Sequence, residues 1–301
     1  MRNIAPPHGR EHFSWPLPAT WGLAPQARSH DITLWRALFD EAAARLQLQQ
    51  QTLGTVLGQP LLLLTRAARL PAAPRRLVSC GFHGEEPAGP WGLLRFLQRV
   101  QAHQLDDVHL TLLPLVNATG FAAGTRFNAE GDNPNRGFGG GSTAPSAEGR
   151  VLMQHAALLC AASRDGVLSC HEDVMVDAGY IYAFERAPAP GAQAQRLLEA
   201  NLRHFVQHPD GLLDGCTLQN GVILNHHDGS FEDWLFSLGA AFAACVETPG
   251  LQAFEPRVAA QADMIEAFVL GPEFCASTLP DEQTHQPPTL ERLARRGASG
   301  H

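Results

Sequence analysis

Residues 75–103, RRLVSCGFHGEEPAGPWGLLRFLQRVQAH, decide the fold class. RRLVSCGF is a short apolar run set between Pro74 and a glycine, the pattern of a buried strand. From Trp91 the apolar residues follow a helical period, so WGLLRFLQRVQAH reads as a helix. Between them lies HGEEPAG, a polar, glycine-containing loop. Strand, loop and helix in that order make the repeating unit of an α/β protein.

Working outward, the same alternation continues. Upstream, PLLLLTRAA is a second short strand, and residues 33–57 show helical apolar spacing at Leu34, Leu38, Phe39, Ala42, Leu46 and Leu48, which predicts a helix over that stretch. A Pro-rich arm occupies residues 1–30. Downstream, VHLTLLPLVN reads as a buried strand, followed by a polar, glycine-rich segment over 118–146 that no hydrophobic period assigns to a regular element. Helices are predicted over 149–162, 192–206, in SFEDWLFSL and over 257–270, with strands in GVLSCHE and AFAACVE. This alternation predicts a sheet covered by helices on both faces, with functional groups at the strand ends. The low-complexity patch at 137–142, GFGGGS, lies in the long loop. The Pro-, Gln- and Arg-rich stretch 276–301 is expected to be a mobile tail, leaving residues 31–275 as one folded domain.

Composition excludes several classes. Of 301 residues, 22 are Lys or Arg and 30 Asp or Glu, a formal charge of −8, so no broad positive field exists to hold nucleic acid or an anionic membrane. The run of four leucines at 61–64 falls far short of the roughly 20 residues needed to span hydrocarbon. The start, MRNIAPPHGREHFSWPLPATW, lacks the apolar core of a secretory signal, so a cytoplasmic location is expected. The six cysteines form no CxxC pair and read as reduced core thiols. A metal site would therefore draw on histidines and carboxylates.

His83 and Glu86 form such a pair at HxxE spacing, where two side chains can converge on one ion. The spacing alone is weak: His8 with Glu11 and His103 with Asp106 repeat it. Context distinguishes His83 and Glu86, which follow an apolar strand directly and precede a helix. His171, in LSCHED, again ends an apolar strand, and adjacent parallel strands would bring both loops to one edge. Two imidazoles, one carboxylate and a water form an open catalytic zinc site. Glu247, in ACVETPG, places a carboxylate at the end of another apolar strand, where a charge is costly unless something compensates it. The long loop carries Arg126 and the Asn135–Arg136 pair, whose donors suit a carboxylate or a developing oxyanion.

Taken in order, HGEE at 83–86, VNATGFAAGTRFNAEGDNPNRGF, SCHE ending at Glu172 and GSFEDWLFSLGAAFAACVETPG resemble the zinc carboxypeptidase family, also called funnelins, over roughly residues 75–270. The resemblance implies a mixed, mostly parallel twisted sheet with helices on both faces. It implies one Zn2+ ion held by His83, Glu86 and His171, with Glu247 as general base and acid. Arg126 matches the arginine that polarises the scissile carbonyl, and Asn135 with Arg136 match the pair that grips a terminal carboxylate. The implied substrate is a peptide or small amide with a free carboxylate, trimmed by one residue from its end. Glu232, in GSFEDW, matches the floor of the pocket for the terminal side chain, and an acid there suits Lys or Arg ends.

The chain also departs from the family's pattern. It has NATG where the family has NPDG. The stretch GVILNHHDGS lacks the mobile tyrosine of the digestive members, leaving His226 or His227 as substitutes, with Tyr180 and Tyr182 lying elsewhere in the sequence. Few residues precede HGEE, so no inhibitory propeptide is expected. Two rival readings remain: a zinc amidase of N-acyl amino acids or murein peptides on the same fold, and a zinc-binding module without catalysis. The short helical stretch after Gly250 favours a peptidase over deacylases that add a β-rich carboxy-terminal domain.

Overall fold

The computed structural model describes residues 14–139 and 143–271. The first 13 residues of the arm, part of the glycine patch, Cys275 and the tail expected at 276–301 lie outside them. Eight strands form one mixed sheet. In chain order these are β1 (Gln49–Val56), β2 (Gln59–Arg66), β3 (Arg75–Cys80), β4 (His109–Leu113), β5 (Gly166–Asp173) and β6 (Tyr180–Phe184). A small hairpin of β7 (Gly211–Leu213) and β8 (Cys216–Leu218) stands apart, and β9 (Val222–Leu224) and β10 (Ala243–Pro249) complete the sheet. Its spatial order is β1-β2-β4-β3-β5-β10-β6-β9. The central strands β4, β3, β5 and β10 run parallel, while β2 against β4 and β6 against β10 are antiparallel. The sheet is thus mixed and mostly parallel, as expected.

Alternation along the central strands sends neighbours into two separate cores. Val78, Leu168 and Ala244 join Trp91, Phe96 and Ile265, whereas Leu77, Val167 and Ala243 join Leu152, Leu159 and Phe231. Strands buried on both faces are apolar nearly throughout, which is why LVSC and GVLSC read as continuous runs rather than alternating ones, and their buried serines Ser79 and Ser169 satisfy each other at 2.8 Å. The first core is closed by α1 (Ile32–Arg45), α2 (Ala88–Arg99), α6 (Ala192–Leu202) and α8 (Phe254–Leu270). The second lies under α4 (Ala147–Gln154), α5 (Ala156–Ala162) and α7 (Phe231–Ser237). Full burial of an aromatic such as Trp91 contributes on the order of 3 kcal/mol.

Two sequence expectations need correction. The helix predicted over 33–57 stops at Arg45. Its start is fixed by Asp31, whose carboxylate accepts the Leu34 N–H at 2.9 Å. At Gln47 the backbone turns through a positive φ of 58°, and the rest of the stretch becomes β1, paired antiparallel with β2. The last apolar residue in the helical pattern was Leu48, and the following QQQTLGTV carries the β-branched residues that favour a pleated surface. Second, the long loop contains a short helix, α3 (Ala118–Ala123), nucleated by Asn117 Oδ1 accepting the Gly120 N–H at 2.8 Å. Side-chain capping rather than hydrophobic period sets that helix, so periodicity misses it. The five cysteines among the described residues are free thiols.

No helix among the described residues is long and apolar enough to cross a membrane.

Candidate metal centre and active site

The candidate residues gather at the carboxyl ends of the parallel strands. His83 follows β3, and Glu86 sits just before α2 in the loop between them. His171 is near the end of β5, and Glu247 is in β10. One ligand atom each of His83, Glu86 and His171 lies within 4.8 Å of the others. Among the described residues they are the group of His, Cys, Asp and Glu side chains close enough together that they could hold a metal ion. All three are buried. Glu86 bridges the imidazoles: Oε1 is 2.7 Å from His83 Nδ1 and Oε2 is 2.8 Å from His171 Nδ1.

The loop that carries the first two candidate ligands is held at close quarters. Gly84 packs so tightly on α3 that a Cβ there would fall 1.9 Å from the carbonyl carbon of Gly120. Its carbonyl is 2.9 Å from His30 Nε2, which ties the segment before α1 to this loop. Each imidazole also touches an amide on its other nitrogen. His83 Nε2 is 3.0 Å from Asn133 Oδ1, and His171 Nε2 is 3.2 Å from Asn135 Nδ2. An acceptor such as Asn133 Oδ1 is the kind of outer partner that orients a metal-ligating histidine.

Electrostatics fit a cation. Burial pushes His83 down to about 4, with the Arg126 charge adding to the effect, so its ring is neutral at pH 7, the form that ligates metals. Burial alone would raise Glu86, but its contacts with His83 and His171 outweigh that and hold it ionised. Burial, then the Glu86 charge, pushes Glu247 well above the ordinary carboxylate range. Glu247 Oε2 is buried without a hydrogen-bond partner, while Oε1 accepts only the Cys245 thiol at 3.5 Å. Two imidazole nitrogens, one carboxylate and a second carboxylate left unsatisfied form a donor set suited to a divalent cation.

Arg126 donates through Nη1 to Glu86 Oε1 at 3.1 Å and to Glu85 Oε1 at 3.3 Å, with its side chain 37% exposed. Asn135 is buried. Beyond its contact with His171, its Oδ1 accepts the Phe231 N–H at 2.9 Å and its Nδ2 lies 3.5 Å from Glu232 Oε2. Arg136 pairs with Asp228 at 2.8 Å. Glu232, in the first turn of α7, is 3% exposed, so it is not a solvated helix-start residue.

Sequence distance misplaced the tyrosines. Because β6 runs antiparallel to β10, Tyr180 is the register partner of Glu247 and Tyr182 that of Cys245. The Tyr180 hydroxyl donates to Asp173 Oδ2 at 2.9 Å. His226 Nδ1 sits 3.4 Å from Cys216 Sγ, and His227 is half-exposed with Nδ1 2.6 Å from Asp233 Oδ1. Asn133 and Glu85 also escaped the sequence reading. Asn133 had a visible signal, two asparagines spaced two apart beside an arginine in DNPNR. Glu85 had none beyond adjacency to Glu86.

Comparison with known proteins agrees with this arrangement. Residues 72–172, which include all three candidate ligands, match the succinylglutamate desuccinylase/aspartoacylase catalytic domain. Among curated proteins, none is significantly similar. A candidate metallopeptidase from Shewanella amazonensis SB2B is 43% identical with a TM-score of 0.81, covering 86% of this chain and 97% of that one. Another from Shewanella denitrificans OS217 is 45% identical with a TM-score of 0.80, covering 86% and 95%. A metallo-carboxypeptidase from Burkholderia cenocepacia shares the fold at 20% identity and a TM-score of 0.58, over 78% of this chain and 67% of that one.

Proposed function

The chain belongs to the zinc carboxypeptidase family, and from that membership we propose that it is a zinc-dependent hydrolase that removes the carboxy-terminal residue of a peptide, with a preference for Lys or Arg ends. The observation that carries this reading is the convergence of His83, Glu86 and His171 beside a buried, unsatisfied carboxylate on the neighbouring strand.

A zinc ion held by those three side chains would supply Lewis acidity toward the scissile carbonyl and lower the pKa of water toward neutrality. Glu247 would accept the proton of the attacking water through the oxygen that has no other partner, then deliver it to the leaving amine. Arg126, partly exposed and in contact with Glu86, would donate to the oxyanion as charge grows there. Arg136 would take the substrate's terminal carboxylate in exchange for Asp228, and Asn135 would hold its neighbours in register. Fixing the carboxylate at one distance from the ligands would limit cleavage to the last residue. Glu232, buried and with no cation beside it among its hydrogen-bond partners, would pair with a basic terminal side chain.

A second reading, an amidase releasing the acyl group of an N-acyl amino acid, is favoured by one specific observation. The matched desuccinylase/aspartoacylase segment spans all three ligands. Both reactions place a carboxylate near an amide, so the substrate decides between them.

The test is metal analysis of the purified protein followed by turnover of peptides ending in Arg, Phe and Glu alongside N-succinyl and N-acetyl amino acids. The proposal expects about one zinc per chain, loss of turnover after chelation and the highest kcat/KM on Arg-ended peptides. Faster Phe-ended peptides would discard the basic preference. Turnover confined to N-acyl amino acids would replace the peptidase with the amidase. A zinc-loaded chain inert on the whole panel would favour a binding module.

A further inference from the structure

We infer that Glu172 and Arg257 are positioning residues of the metal centre, a buried ion pair through which α8 sets the relative places of the three ligand- and base-bearing segments. The inference rests on the metal reading above and concerns residues that take no part in the mechanism described there.

Glu172 follows His171 directly and points to the opposite side of β5, toward α2 and α8. Its Oε1 accepts the Ala88 N–H at 2.7 Å, at the start of the helix that Glu86 precedes by two residues. Its Oε2 accepts from Thr248 Oγ1 at 3.3 Å, and Thr248 follows Glu247 in β10. Its own N–H donates to Glu86 Oε2 at 3.2 Å. One residue therefore touches the Glu86 loop, the His171 strand and the Glu247 strand at once.

Arg257 anchors this hub from α8. It is 0% exposed, with Nη1 2.5 Å from Glu172 Oε2. Its guanidinium lies 4.3 Å from the Trp15 ring centroid and 5.3 Å from that of Phe254. Gln261, one turn further along α8, donates through Nε2 to the His171 carbonyl at 2.6 Å and to Thr248 Oγ1 at 3.2 Å. A buried ion pair is a weak source of net stability, because desolvation of both charges offsets their attraction. Its worth here lies in geometry: a planar guanidinium packed against the neighbouring Trp15 and Phe254 rings holds Glu172 in place, and Glu172 spaces three segments that are remote in sequence.

The experiment compares the wild-type chain with the double variant Glu172→Gln/Arg257→Met, which leaves no unpaired buried charge and retains an acceptor for Ala88 N–H, and with Arg257→Lys. Zn2+ affinity is read by competition with a chromophoric chelator, ligand geometry by the visible spectrum of the Co2+ form, and folding by the melting temperature of the metal-free protein. The expected result is a 10- to 100-fold weaker Zn2+ affinity and an altered Co2+ spectrum in the double variant, with a metal-free melting temperature close to wild type and partial rescue in Arg257→Lys. Unchanged affinity and spectrum would overturn the inference, whether or not the melting temperature falls. A wild-type chain that binds neither ion would overturn the metal reading itself, and the inference with it.

Discussion

His171 and Glu247 are register partners in the parallel pair of β5 and β10, one on each side of a single rung of the sheet. Neighbouring strands lie about 4.8 Å apart, so this register alone brings a proposed ligand and the proposed base within reach of one ion and one water. Glu247→Gln keeps the shape and the hydrogen-bonding capacity of the side chain but cannot take a proton. The expected outcome is a zinc content equal to wild type with kcat lower by about 10²- to 10⁴-fold. Metal analysis and steady-state kinetics check it, and a near-wild-type rate would move the base elsewhere.

Glu232 is buried beside Asn135 rather than solvated on α7. Removing its charge in Glu232→Gln is expected to lower kcat/KM on Arg-ended peptides about 10- to 100-fold while leaving Phe-ended peptides within a few-fold of wild type. Equal losses on both would show a structural role instead.

Gly84 offers a test of the loop that carries His83 and Glu86. A methyl group at that position meets the Gly120 backbone, which cannot swing aside as a side-chain tip could. Gly84→Ala is expected to cost about 1–3 kcal/mol of stability and to weaken metal binding. Denaturant midpoints with and without added zinc separate the two effects.

Away from the site, Asp263 accepts from Arg99 at 2.7 Å and His204 at 2.9 Å. Burial alone would raise its pKa, but those hydrogen bonds and charges prevail and lower it below the usual range. A group with a depressed folded pKa stabilises above its unfolded value of about 3.9 and loses that contribution as pH falls through the folded value. After allowance for solvent, the pair network is worth about 0.5 kcal/mol. The stability gap between wild type and Asp263→Asn in urea titrations should therefore be steady from pH 7 to 5 and shrink below about pH 4.

The sheet was legible where strands are buried on both faces. RRLVSC, GVLSC and AFAACVE announce themselves as apolar runs, and they are the strands that carry or flank His83, His171 and Glu247. The strands β6, β7, β8 and β9 were not foreseen, since YIYAF and VIL are short and nothing local tells them from loop. That omission hid the tyrosines, because only the antiparallel pairing of β6 with β10 brings Tyr180 opposite Glu247. The candidate ligands could be singled out through their position after strands, whereas Arg257 and Gln261 could not: a charge or an amide facing inward from α8 looks like any other polar residue in FEPRVAAQADM.

The strand order β3-β5-β10 also bears on how the chain folds. His83 and Glu86 are near neighbours along the backbone, but His171 and Glu247 arrive only when parallel strands separated by long crossovers have found each other. Contacts of such sequence separation form slowly. A metal ion held by these residues would therefore not template early collapse beyond a weak two-ligand encounter, and its tight binding would mark the moment at which the central strands have reached their native register.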